Sequence, residues 1–569
     1  MLRPPRTRHG FPRRISFIGD DMHKCLTIAE VLTHILEHIP ASGDLASIAT
    51  VCHAFSECAL EILWRETCLG KLVVHTIPAS LLNISEVRKR GVWATTVECI
   101  VRPPRPEDMG RLLHYASFVR SLEIRDIYPV GSYRDTAQLD SSICGVLTSL
   151  QRTQRAFPRL RSLTSTRLPD WIHEHMNIFL APSVRKLKLG IFASSVHTWL
   201  SLLAQIQHSC PHLEDLQMGD WPGSQELLRR TYEFIPSFKH MRRLEYTQTV
   251  PDTTIFHLLA ELDALENLSF KLSLCGRYRR LIGPTLENHN AGWFRSLKTL
   301  NVYSPKLSYI ESLLSMVTFA PLEQLRFSYP ARGSDEKPLD KYLAFPSLRA
   351  FNLTIGRLDL AGPLFAHMSL PRLEELSIEY NERTDLLGEL VSAISTACSR
   401  TSLKRLRLQH VRGDSSEDLS IPIGSVLRPL FPFRRIERMR LSSRRPFKMS
   451  NKIVEEFALS WPDLKDIDLG MYSSRLASTV TFKGLVSLAS HCPNLELISL
   501  PMNVTSVPTI KALGYKDARR NHNVKELDFR RSPIPAKRVK KIKSLLLQIF
   551  PALQRIHSSE RRILELAGR

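Results

Sequence analysis

One short unit recurs down most of this chain: a proline, one residue, an apolar anchor, then x-x-Φ-x-Φ, where Φ is apolar. It reads FPRLRSLTS from Phe157, APSVRKLKL from Ala181, CPHLEDLQM from Cys210 and FPSLRAFNL from Phe345. It returns as LPRLEELSI from Leu370, WPDLKDIDL from Trp461, CPNLELISL from Cys492 and FPALQRIHS from Phe550. Versions without that proline spacing are anchored at Val119, Met241, Leu265, Leu297, Leu322, Leu403, Ile436 and Val524. The 393 residues from Leu160 to Leu553 hold fourteen intervals, a mean of about 28. A unit of that size cannot bury its own apolar face, so neighbours must stack into one shared core.

Within each unit the last two apolar residues alternate, as in Leu187/Leu189, Leu300/Val302, Leu406/Leu408 and Leu527/Phe529. That is strand periodicity, with the residue between them facing out. Ahead of the proline the spacing turns helical: Trp199, Leu202, Leu203 and Ile206; Leu387, Leu390, Val391 and Ile394; Val539, Ile542, Leu545, Leu546 and Ile549. Proline then ends the helix. Helix, proline turn and short strand in series predict an α/β fold, a solenoid of short parallel strands with helices on its convex side. The period falls within that of leucine-rich repeats, which these units resemble. The array is irregular, with intervals from 24 to 33, and the Asn or Cys that usually follows the strand is nearly absent, Asn381 being the best match.

The middle strand residues form the ribbon expected to meet a partner: Thr164, Lys188, Gln217, Glu245, Ser269, Asn301, Arg326, Asn352, Ser377, Arg407, Arg440, Asp468, Ser499 and Asp528. Four are basic and three acidic, so the row suits a protein surface better than a phosphate backbone. From it Arg326, Asn352, Arg407, Arg440 and Asp468 are the candidate target contacts, against the plain alternative of solvated strand. Tyr303, Tyr329 and Tyr380, near strand ends, are read first as core and second as ligand anchors.

The stretch from Leu26 to Leu69 has a different grammar. Ile28, Val31, Leu32, Ile35, Leu36 and Ile39 form a helical stripe, with Thr27 and Glu30 spaced as a capping box. Pro40, Ser42 and Gly43 stop it. A second helical pattern opens at Asp44, an expected N-cap, and carries Leu45, Ile48, Val51, Cys52 and Phe55 on towards Trp64. So short and apolar a unit must dock on something. These residues, with ALEILWRE at Ala59 to Glu66, resemble an F-box as found in basidiomycete fungal F-box proteins with degenerate leucine-rich repeats. The family's common Leu-Pro start is Leu26-Thr27 here. In that family the motif binds the Skp-type adaptor of a cullin-based ubiquitin ligase. The resemblance therefore implies an adaptor face built from Leu26, Ile28, Val31, Leu32, Ile35, Leu36, Ile39, Leu45, Ile48, Val51, Cys52 and Phe55. The competing reading is a helical cap on the array behind it.

This divides the chain into a basic arm (1–23), an F-box (24–69), a connector (70–110) and the repeats (111–569). No apolar run approaches a membrane span and no hydrophobic signal core opens the chain, so an intracellular protein, cytoplasmic or nuclear, is expected. Ten cysteines are scattered without a CxxC pair, which predicts reduced thiols and no zinc module. The formal net charge is +22, and from Tyr515 onward 15 Lys and Arg face 5 Asp and Glu. The cluster Arg530, Arg531, Lys537, Arg538, Lys540, Lys541 and Lys543 is read as the wet face of the last helix, with nuclear import as the sharper alternative and nucleic acid not expected. No phosphate loop, GxGxxG, HExxH or GxSxG is present, and the pair His173 and His175 is a weak metal signal. No catalytic residues, metal or cofactor are expected. The expected role is the substrate-recognition subunit of an SCF-type ligase that holds an unidentified target protein; the alternative is a repeat scaffold with no ligase role.

Overall fold

The computed structural model describes residues 26, 28–89, 92–100, 105–124, 145, 147–148, 155–165, 175–190, 196–220, 230, 233–248, 254–272, 293–304, 307–329, 341–381, 386–411, 420–443, 445–471, 478–514, 520–530, 532, 534–557 and 564–565. The arm at 1–23, Thr27, the polar loop at 276–292 and most of those at 331–341 and 411–425 lie outside the described residues. Two units result: residues 1–193 with 197–213, and residues 194–196 with 214–569.

The first unit opens with helices α1 (Ala29–Glu37), α2 (Ser42–Ile48) and α3 (His53–Arg65). α1 starts behind Ile28 with no side-chain cap, one residue later than a capping box at Thr27 requires. The pattern from Asp44 to Trp64, expected as one helical run, is two helices. α2 starts behind Ala41, and the chain breaks at Ala49–Cys52, where Thr50 Oγ1 donates to the Ser47 carbonyl at 2.7 Å and Cys52 is fully extended. A β-branched pair, Thr50-Val51, and a hydroxyl that bonds back to the preceding turn end α2 more effectively than the apolar spacing prolongs it.

α3 runs without a loop into strand β1 (Glu66–Cys68). Helix α4 (Leu69–Thr76), an antiparallel hairpin β2 (Leu82–Lys89) and β3 (Val92–Ile100), and helix α5 (Gly110–Ala116) follow. Strands β4 (Ser121–Ile124), β5 (Ser162–Ser165) and β6 (Lys186–Leu189) and helix α6 (Val196–Ser209) complete the unit. β1, β4, β5 and β6 pair in that order, all parallel. The sheet thus begins at Glu66, ahead of the stretch 70–110 expected as a connector. A three-residue strand is too short to display alternation, which is why it escapes a sequence reading.

The second unit is the regular one. Its strands are β7 (Asp215–Asp220), β8 (Arg243–Gln248), β9 (Asn267–Leu272), β10 (Thr299–Tyr303) and β11 (Gln324–Tyr329). A separate parallel pair, β12 (Leu343–Ala344) and β14 (Met368–Ser369), flanks β13 (Ala350–Ile355). The main sheet continues through β15 (Glu375–Tyr380), β16 (Arg405–His410), β17 (Arg438–Ser443), β18 (Asp466–Met471), β19 (Leu497–Ser499), β20 (Glu526–Asp528) and β21 (Arg555–His557). Each main strand of this unit pairs parallel with the next, and among the described residues only β22 (Leu564–Glu565) closes antiparallel. Helices packed on the buried face include α7 (Thr254–Ala260), α8 (Leu307–Val317), α9 (Leu358–Ala366), α10 (Leu387–Ala397), α11 (Ile423–Leu427), α12 (Asn451–Ser460), α13 (Phe482–His491) and α14 (Val539–Ile549). Phe256 of α7 meets Phe270 of β9 at 5.2 Å, and Phe365 of α9 meets Phe351 of β13 at 5.6 Å. This is a parallel-strand α/β solenoid. Every anchor from Leu160 to Leu553 is 4% exposed or less.

The proline has a more specific job than stopping helices. In each proline unit the anchor N–H donates to the carbonyl of the residue before the proline: Leu213 to Cys210 at 3.2 Å, Leu464 to Trp461 at 3.2 Å, Leu348 to Phe345 at 3.3 Å. That is a β-turn with proline in second place, where its fixed φ fits and its missing N–H is not needed. Met241, Leu265, Leu297 and Ile436 close the same turn without proline, so the residue favours the turn and does not create it. The residue ahead of the proline is a second anchor: Phe157, Cys210, Phe345, Leu370, Trp461, Cys492 and Phe550 are all 2% exposed or less. Burial pushes the thiols of Cys210, Cys398 and Cys492 up to about 12, so they stay protonated packing groups.

One position of the repeat carries a charge rule. The residue after each anchor donates its N–H to the carbonyl of its counterpart in the preceding repeat, at 2.7–2.9 Å from Arg242 to Lys525. In order these residues are Glu214, Arg242, Glu266, Lys298, Glu323, Arg349, Glu374, Lys404, Glu437, Lys465, Glu496 and Lys525, and acid and base alternate at every step. Lys404 lies 2.8 Å and Arg349 3.3 Å from the Glu374 carboxylate; Lys298 lies 3.2 Å from Glu266 and Lys465 2.8 Å from Glu437. The hydrogen bond from Lys404 holds the Glu374 carboxyl below its usual pKa, and that from Lys465 does the same for Glu437. One exposed pair contributes about 0.2–1 kcal/mol, but in this file each inner charge has two opposite neighbours.

The file responds to charge reversal differently from an isolated pair. Glu374→Lys is expected to lower the urea midpoint. Adding Lys404→Glu restores an isolated pair, but here it sets Lys against Arg349 and Glu against Glu437, so the double variant stays below wild type at low salt and approaches it at high salt. Because the folded-state carboxyls lie below their ordinary value, near 4.5, their contribution is complete above that pH and is lost as pH falls through the lowered pKa. Denaturation against pH measures this as stability dropping on the acid side, less steeply in Glu374→Gln.

Candidate functional site

The N-terminal helices bury a small core of their own. Leu32, Leu36, Leu45, Cys58 and Ala59 are its centre, with Leu26, Ile39, Ile48, Phe55, Ile62 and Leu63 packed against it. The helical stripe expected to face a partner therefore splits. Leu32, Leu36 and Leu45 are 5% exposed or less and hold the bundle; Cys52 is half-buried at the start of α3. Ile28 (49% exposed), Val31 (37%) and Ile35 (44%) fall on the opposite edge of α1, at helical spacing i, i+3 and i+7, and Val51 (64%) stands exposed where α2 ends. Three of these β-branched aliphatics gather on one side of α1, an apolar edge in water on a small bundle.

The other side of the bundle is already engaged. Trp64 packs against Tyr115 of α5, ring centroids 5.0 Å apart and planes tilted by 34°. Arg120 donates to Glu61, and Arg65 donates to Glu37 at 2.5 Å. Those arginines continue the backbone file of the first unit: Arg120 donates its N–H to Arg65, Arg161 to Arg120 and Arg185 to Arg161. This file is all arginine, and acids from α1 and α3 neutralise its first two members. The side-chain hydrogen bond from Arg65 lowers the Glu37 pKa. The helices are thus joined to the array on one face and open on the other.

The strand ribbon of the second unit holds the other candidate surface. Arg326, Asn352, Arg407, Arg440 and Asp468 lie in one register row, with Ser377 between Asn352 and Arg407. Arg326, Arg407 and Arg440 are exposed, and Asn352 half-buried. Asp468 is engaged within the chain: Arg530 turns back to it and lies 3.5 Å from Asp528. Arg530 adopts φ 53°, with its own N–H on Asp528 Oδ1 at 2.7 Å. Its guanidinium lies over Gly470, where a Cβ would come within 3.2 Å of Cζ. Two residues absent from the sequence reading, Arg405 and Arg438, lie beside Arg407 and Arg440 on the same face. The signal was present as R-Φ-R-Φ in RLRL and RMRL, since the first residue of an alternating strand also faces out.

Other candidates resolve plainly. Tyr329 and Tyr380 are fully buried and are core, and Tyr303 takes Lys271 over its ring at 5.3 Å. His175 Nδ1 lies 2.9 Å from Thr148 Oγ1, and no cluster of three metal-ligating side chains occurs among the described residues. Lys540, Lys541 and Lys543 are exposed on α14 above buried Ile542, Leu545 and Leu546. Arg531 lies outside the described residues. No described helix is long and apolar enough to cross a membrane.

Comparison with known proteins adds one family. Residues 29–70 match the family described as F-box-like, which covers α1 to α3 and β1. No curated protein matches the chain. Among solved structures, the crystal structure of the TLR13–ssRNA13 complex is similar at 15% identity over 77% of this chain, with a TM-score of 0.39. The match spans 60% of that chain's length, and at that score it carries no argument about binding.

The split of the α1 stripe sets two neighbours apart. Leu36→Ala empties a core site and is expected to cost about 2–5 kcal/mol, whereas Ile35→Ala, one residue away, stays within about 0.5 kcal/mol. Chemical denaturation of the two variants measures the difference.

Proposed function

We propose that this chain is the substrate-recognition subunit of a cullin-based, SCF-type ubiquitin ligase. α1 to α3 bind a Skp-type adaptor, and the leucine-rich-repeat ribbon, of the degenerate kind seen in fungal F-box proteins, holds a target protein. The observation that carries this reading is the exposure of the aliphatic residues Val31, Ile35 and Val51 on the segment that matches the F-box-like family, with Ile28 just ahead of it. An apolar edge on a bundle whose opposite face is already paired with the array is what an external helix-rich partner needs. The chain itself performs no bond chemistry. It raises the effective concentration of a target lysine near ubiquitin activated elsewhere in the assembly.

A second reading is a repeat scaffold whose N-terminal helices serve only as a cap. The ion pairs Glu61–Arg120 and Glu37–Arg65 and the Trp64–Tyr115 ring contact favour it, because they give the helices a purpose inside the chain. They leave the Ile28 edge unexplained, which is why the receptor reading ranks first.

Co-purification with a Skp-type adaptor separates the two. Wild type is expected to capture adaptor, and Val31→Asp with Ile35→Asp to weaken capture by about tenfold or more, with melting unchanged because both side chains are exposed. Absence of capture by wild type would overturn the receptor reading.

A further inference from the structure

The outward side chains of β15 to β18 sort by charge into stripes along the strands. β15 presents Glu375 and Glu379, β16 Arg405 and Arg407, β17 Arg438 and Arg440, and β18 Asp466 and Asp468. Register sets Arg405 opposite Arg438 and Arg407 opposite Arg440, so four arginines occupy the corners of a square of backbone positions on strands ~4.8 Å apart. Like charges directly opposite one another in a sheet oppose its stability. The flanking acids relieve one diagonal of the square. Arg405 pairs with Glu375, and Arg440 donates from Nε to Asp466 Oδ2 at 3.1 Å and again from a terminal nitrogen. Asp468, the acid opposite Arg440, is turned to Arg530. The other diagonal stays open. Arg407 reaches neutral Gln409, 3.0 Å from its Nε, and the exposed Arg438 side chain has no hydrogen bond or ion pair among the described residues.

We propose that Arg407 and Arg438 form a docking subsite for an acidic, extended segment of a target protein. The subsite rests on the target-holding role given to the ribbon above. Strand spacing and rise put the two Cα atoms ~8 Å apart, close to the ~7 Å between carboxylates two residues apart on an extended peptide, so each arginine can meet its own carboxylate along such a segment. The acidic stripes argue against a nucleic acid. A phosphate chain leaving the square across the strands runs onto Glu375 or Asp468 within one further strand spacing, whereas a peptide with a short acidic run ends where the square ends. The same stripes exclude peptides acidic throughout their length and so narrow the choice.

Fluorescence anisotropy on the full chain tests this, with a short peptide of alternating Asp and Ser, its Asn-Ser counterpart, and an oligothymidylate of equal charge. Wild type is expected to prefer the Asp peptide by about tenfold at low salt. Arg407→Gln with Arg438→Gln removes the preference without lowering the melting temperature, since it also relieves the repulsion within the square, and Glu375→Gln strengthens binding by freeing Arg405. Lys540→Gln with Lys543→Gln, a matched charge loss on α14, leaves affinity within about twofold. Equal binding of the Asp and Asn peptides, or an Asp preference that survives loss of both arginines, overturns the proposal. So does tighter binding of the oligothymidylate through the same arginines. Adaptor capture by the same preparations keeps the two claims apart: capture without an Asp preference removes the subsite alone, and an Asp preference without capture removes only the ligase role.

Discussion

A single file of backbone carbonyls ties the second unit together. From Glu214 to Lys525 each carbonyl accepts two N–H groups from the next repeat, one from its counterpart and one from the residue that starts the strand, as Glu374 does from Lys404 and Arg405 at 2.9 Å. These bonds lie just outside the strands proper, so they fix where each strand begins before the ladder extends. The proline turn delivers the chain to that point, and the two buried anchors on either side of it hold the turn against the core. Remove one repeat from the stack and its neighbours lose both partners, which is the origin of cooperativity in such an array.

Side-chain charge follows that backbone file. Alternation of acid and base from Glu214 to Lys525 favours the native order of stacking, because pairing one repeat with its second neighbour would set acid on acid. In the first unit the equivalent file is arginine throughout, and Glu37 and Glu61 of the N-terminal helices supply the first two counter-charges. The helices therefore belong electrostatically to the array even though their Ile28 edge faces water. On the ribbon the same physics works in reverse: where Arg405, Arg407, Arg438 and Arg440 break the balance, the open diagonal is free to meet a ligand.

Much of this was legible in the chain. The anchors, the alternating strand pairs and the helical stripes at Trp199, Leu387 and Ile542 all sit where their spacing places them, and the outward row from Gln217 to Asp528 is one continuous register. The charge file was equally visible as L-E-x-L alternating with L-K-x-L, but it emerges only when repeats are aligned at their anchors and one column is read down. The break at Thr50 to Cys52 and the strand at Glu66 were hidden, since apolar spacing alone does not distinguish a continuing helix from two short ones or show a strand of three residues.

The sequence by itself determined the repeat, its period and its face pattern, because those depend on local spacing of apolar residues and on proline. Which apolar residues of α1 are core and which stay in water was decided by tertiary packing: Leu32 and Leu36 turn in because α2 and α3 close over them, and Ile28, Val31 and Ile35 remain outside although their chemistry is the same. Likewise Asp468 and Arg407 are equivalent positions in the repeat. Only tertiary packing brings Arg530 across the ribbon to engage Asp468, while Arg407 reaches just Gln409 of its own strand, and a contact 62 residues apart in the chain has no local signature.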